Sequence, residues 1–143
     1  MKQITKDWLK SAEMDLSLIE SINNRNNLTP LIAFHSQQVI EKSFKAIIEE
    51  FEIGFIKSHD LEMLLNKIKK YINFEIDINL FKEIDKLYID ARYPGELGLL
   101  PNGKPTIEEA KEFYNFAKEI FEKIKESLEK TNNNNDDNKI ENI

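Results

Sequence analysis

Apolar residues recur at helical spacing along almost the whole chain. Trp8, Ala12, Leu16 and Ile19 step by four, four and three, which lines one face of a first helix ending near the polar run "NNRNN" at 23–27. The stretch "LTPLIAFHSQQVIEKSFKAIIEEF" (28–51) predicts a longer second helix. Thr29 is placed to cap it, and Pro30 to sit in its first turn, where a missing N–H costs nothing. Ile32, Val39, Ile40, Ser43, Phe44, Ile47 and Phe51 share a broad arc of this helix, opposite a stripe of Gln38, Lys42, Lys45 and Glu49. His35 falls on the border between the two. Gln37 falls inside the apolar arc and therefore requires a hydrogen-bond partner.

Gly54 closes the second helix. "KSHDLEMLLNKIKKYI" (57–72) predicts a third, with Leu61, Leu64, Leu65, Ile68 and Ile72 aligned and Ser58 or Asp60 as its cap. Asp77 is placed to cap a fourth helix through Ile78, Phe81, Ile84, Tyr88 and Ala91. The loop "YPGELGLLPNGKP" (93–105) comes next, and Thr106 and Glu109 then spell a T-x-x-E capping box. It opens a fifth helix along Ala110, Phe113, Ala117, Ile120, Ile124 and Leu128. Only "FEIGFI" (51–56) approaches a strand, and it is short. The expectation is an all-α, up-and-down bundle of about five antiparallel helices over residues 1–130. The polar run "TNNNNDDNKIENI" reads as a disordered Asn/Asp-rich tail over 131–143.

Length and charge narrow the chemistry. A chain of 143 residues suits one domain with a core of its own. The absence of cysteine excludes disulfides and thiolate catalysis. The opening "MKQITKDWLKSAEMDL" is charged and amphipathic, unlike a signal peptide, and no run is long enough to span a bilayer, so a soluble, cytoplasmic protein is expected. Net charge is −6, and the only arginines are Arg25 and Arg92. An acidic chain binds nucleic acid poorly in a non-specific way, so any phosphate site must be local. With two histidines and no glycine-rich phosphate loop, neither a metal nor a cofactor is expected. The many paired carboxylates read as solvated helix faces.

Three groups stand above that background. His35, Gln38 and Lys42 share one helix face that a ligand could meet; alternatively, His35 is a border histidine satisfied by a neighbouring helix. Lys57, His59 and Asp60 crowd the start of the third helix, where free N–H groups suit an anion; the alternative is plain capping by Asp60. Asp85, Tyr88 and Arg92 are spaced at i, i+3 and i+7. Arg92 is either a C-terminal cation bridged to Asp85 or, beside Tyr93, a guanidinium and ring suited to phosphate and base.

The blocks "FHSQQVIEKSFKAII" (34–48), "KSHDLEMLL" (57–65) and "ARYPGE" (91–96), in this order, resemble the HEPN family (higher eukaryote and prokaryote nucleotide-binding domain) over roughly residues 5–130. The resemblance implies a helical bundle, a homodimer, and nucleotide- or RNA-related work. It also implies a possible partner, the minimal nucleotidyltransferase with which many prokaryotic members form a toxin–antitoxin-type pair. The ligand site it suggests is Arg92, Tyr93, His59, Lys57, His35 and Lys42, with Arg92 clamping phosphate. Ribonucleases of the family carry R-x4–6-H. Here Arg92 is followed by Y-P-G-E-L-G-L, and Arg25 precedes His35 by ten positions, so that signature is missing. Binding of a nucleotide or of the nucleotidyltransferase is therefore expected rather than catalysis, and no catalytic residue is assigned. The alternatives are a metal-independent ribonuclease toxin with a degenerate motif and a helical interaction module without ligand.

Overall fold

The computed structural model describes the backbone of residues 1–90 and 104–141, and the side chains of 1–86 and 104–134. Five α-helices follow one another: α1 Gln3–Ile22, α2 Thr29–Glu50, α3 Leu61–Ile68, α4 Ile78–Asp90 and α5 Ile107–Glu141. Single 3₁₀ turns lie at Asn26–Leu28 and Lys69–Tyr71. Among the described residues there is no strand, and the 51–56 stretch is a turn and its exit. The helix α2 is the hub, packing against α1, α3, α4 and α5. Its burial explains the breadth of its apolar arc: Ile32, Val39, Ile40, Phe44 and Ile47 are essentially inaccessible. They meet Leu9, Ala12, Leu16 and Ile19 of α1, and Phe113, Ala117, Ile120 and Ile124 of α5, in one core. Each such large side chain contributes about 1.5–3 kcal/mol by leaving water. On the α4 side, Phe44 and Phe81 bring their rings within 6.0 Å.

Local chemistry sets most helix starts where the residues predict them. The Asp60 carboxylate accepts from the N–H groups of Glu62 and Met63 at 3.0 and 3.2 Å. Asp77 does the same for Asn79 and Leu80 at 3.1 and 3.2 Å. Thr106 and Glu109 close the reciprocal box at 3.0 and 3.1 Å. The second helix closes before Gly54, since α2 ends at Glu50. Glu52 takes the left-handed position of the turn at φ +51°, and the Ile53 N–H donates to the Ile48 carbonyl at 3.0 Å. Gly54, at φ +119°, redirects the chain after it.

Two local expectations change. Thr29 does not cap α2: the 3₁₀ turn runs straight into the helix, leaving Thr29 inside it with its hydroxyl donating to the Asn26 carbonyl at 3.5 Å. The helix α3 stops at Ile68 rather than Ile72, because the chain tightens so that Tyr71 stacks on Phe51 at 4.6 Å. At the far end α5 is helical through Glu141. The packed turns before residue 131 have already met the cost of nucleation, and neither proline nor glycine occurs between there and the end of the helix. Thr131 is half-buried and Asn132 accepts from the amino group of Met1, so the informative truncation lies beyond them. Removing residues 135–143 should leave Tm unchanged within about 2 °C; a larger fall in a thermal melt would show that this end docks on the bundle.

Candidate functional site

Two clusters of a carboxylate, a histidine and a lysine are built on α2. In the first, α1 crosses α2 so that Asp15 meets both His35 and Lys42. His35 Nδ1 lies 2.9 Å from Asp15 Oδ1, and Lys42 Nζ donates to Asp15 Oδ2 at 2.6 Å. Burial pushes the Asp15 carboxyl up, but the hydrogen bonds from His35 and Lys42 and their charge outweigh it, holding the group below the usual aspartate value. Facing an ionised carboxylate, Nδ1 must carry the ring proton. The border alternative therefore describes one nitrogen of His35, while the side chain remains 22% exposed and sits edge-on to the Phe34 ring at 5.3 Å.

The second cluster joins α2 to the segment that leads into α3. His59 Nδ1 lies 2.8 Å from Glu41 Oε1, and Lys45 Nζ donates to Glu41 Oε2 at 3.4 Å. The Glu41 side chain is only 4% exposed, whereas His59 keeps half of its side-chain surface in solvent. Lys45 also lies over the Trp8 ring of α1, 5.2 Å from its centroid. Gln37, fully buried, finds the partners its position requires: its amide donates to the His59 carbonyl at 3.4 Å and its oxygen accepts from Gln38 at 2.6 Å. That relay ties the His35–Gln38–Lys42 stripe to the His59 cluster.

Asp85 of α4 reaches the same end of α3. Its Oδ1 accepts from the Leu61 N–H at 2.9 Å. Burial, reinforced by the charge of Asp60 and opposed by backbone bonds from Leu61 and Glu62, raises its carboxyl above the usual aspartate value. Arg92 and Tyr93 lie outside the described residues. Lys57 is exposed, two positions before His59.

The fold joins His35 and Lys42 through Asp15, and Gln38, on the same stripe, reaches the His59 carbonyl through Gln37. Asp15 and Glu41, which hold the histidines, lie outside the three groups that the sequence pattern marks. A signal existed for Asp15, which follows Ala12 by three and precedes Ile19 by four on the buried side of α1. An acid in that register must be paired. Among the described residues no group of three or more His, Asp or Glu is placed to hold a metal ion. No described helix is long and apolar enough to cross a membrane.

No curated protein and no solved structure matches the chain. The family model described as HEPN domain does match, over residues 5–128, and spans all three sequence blocks and both histidine clusters. With a match of that extent on a five-helix bundle, this chain belongs to the HEPN domain family.

Proposed function

We propose that this HEPN-domain protein binds a nucleotide through its phosphates at the junction of α2, α3 and the end of α4. It acts there as a non-catalytic, homodimeric partner of a minimal nucleotidyltransferase in a prokaryotic toxin–antitoxin-type pair. The reading is carried by one observation: a carboxylate buried to 4% exposure holds an imidazole whose own side chain is half exposed. Burying an acid is costly unless it is paired, so an arrangement that uses one to fix an exposed histidine favours a ligand-facing role. In this reading His59 and Lys57 face the phosphate from the α3 lead-in, and Arg92 clamps it with Tyr93 against the base. The α4 helix supports that assignment, since Asp85 on it reaches the start of α3. His35 and Lys42, held on Asp15, frame the adjoining face.

A second reading, a metal-independent ribonuclease, is favoured by the same Glu41–His59 pair, because a carboxylate that orients an imidazole also suits it to proton transfer. Calorimetric titration of the full chain with ATP, beside incubation with RNA in EDTA, separates the two. ATP should bind, His59→Ala should weaken it by about tenfold, and RNA should stay intact. RNA cleavage lost in a folded His59→Ala variant would establish the ribonuclease. Neither binding nor cleavage would leave an interaction module.

A further inference from the structure

The helices α4 and α5 both pack on α2 but make little direct contact with each other among the described residues. Between the start of α4 and the first half of α5 this leaves a cleft of about 400 Å³. Its apolar lining comes from Phe74 and Leu80 on one side and Phe116 and Ile120 on the other. Glu75, Asp77, Glu112 and Glu119 surround that lining, against one cation, Lys123. Asp77 is committed to capping α4, and Glu119 is bridged to Lys123 at 2.8 Å. Neither Glu75 nor Glu112 has an ion-pair partner among the described residues, and both are exposed.

We propose that this cleft docks a lysine-bearing amphipathic segment of a partner protein. Charge complementarity selects the occupant, since a predominantly acidic rim over an apolar lining attracts cations and repels an acidic peptide. The chain's own Lys123 displays the mode of recognition. Its ammonium lies over the Phe74 ring, 5.3 Å from the centroid, while bonding Glu119. A partner lysine can repeat that geometry on Glu75 or Glu112, with an apolar neighbour on its segment entering between Leu80 and Phe116. The cleft shares no lining residue with the histidine clusters and does not rest on the nucleotide reading.

The test is fluorescence anisotropy at low salt, with the full chain and a short labelled peptide of lysine and leucine patterned as an amphipathic helix. The control peptide replaces each lysine by glutamate. Binding of the lysine peptide alone is expected. It should weaken at least about tenfold in Glu112→Lys/Glu119→Lys, and measurably in the milder Glu112→Gln/Glu119→Gln. Asp7→Lys/Glu129→Lys applies the same charge change away from the cleft and should leave binding within about twofold. No binding, equal binding of the acidic peptide, or equal weakening by both reversals would overturn the proposal. Arg92→Lys should not alter this binding, so failure here and failure of the nucleotide site are separable.

Discussion

Asp15→Ala should lower stability at neutral pH by about 2–3 kcal/mol, a fall in Tm of about 5–10 °C. Removing one partner of a buried ion pair costs about 3–5 kcal/mol, mostly because the other charge is left unpaired. Here Lys42 and His35 keep about a fifth of their side-chain surface in water, 21% and 22%, which softens the loss. Asp15→Asn should fall between the parent and alanine, because an amide oxygen still accepts one hydrogen bond without the charge. The pH dependence comes from the lowered Asp15 pKa. The unfolded chain takes up this proton first as pH falls, so the stabilisation is fully present above the ordinary value of 3.8 and is lost as pH drops below it through the folded-state pKa. Asp85 works in the opposite sense. Its raised pKa makes the folded state hold the proton more tightly, so ionisation of Asp85 subtracts stability as pH rises from 3.8 through its folded-state pKa. Subtracting the Asp15→Asn profile from the parent cancels Asp85. Urea melts at pH 7 and pH 3 should then give a difference that shrinks markedly in acid. A difference independent of pH would show that the Asp15 charge does not hold α1 to α2.

Arg92→Lys should melt like the parent yet bind ATP at least about fivefold more weakly in side-by-side calorimetric titrations. The substitution keeps the positive charge, and with it the helix-dipole and surface-pair contributions of about 0.3–1 kcal/mol each. It removes the planar fork that takes two phosphate oxygens at once, and the flat surface that stacks on an aromatic ring. A purely structural cation at the end of α4 would tolerate the change in both assays. Equal ATP affinities for parent and variant would assign Arg92 to ending the helix and remove it from the phosphate site.

The residues alone determine where helices exist and how most of them begin. Apolar spacing and side-chain caps act over four or five neighbours, so Asp60, Asp77 and the Thr106–Glu109 box carry their meaning within one turn. The three blocks that resemble HEPN are legible for the same reason, being contiguous. Helix ends set by packing are not legible: Tyr71 leaves the helical register for Phe51, some twenty residues away in the chain. Carboxylate pairing is likewise hidden from local pattern. With 26 acidic residues, nothing along the chain distinguishes Glu41 from the many that face water, and the register of Asp15 says that it needs a partner without saying which. Only the crossing of α1 over α2, and the return of the α3 lead-in across α2, bury these two acids beside His35 and His59. A buried charge must find a partner, and which partner is available is decided by how the helices pack.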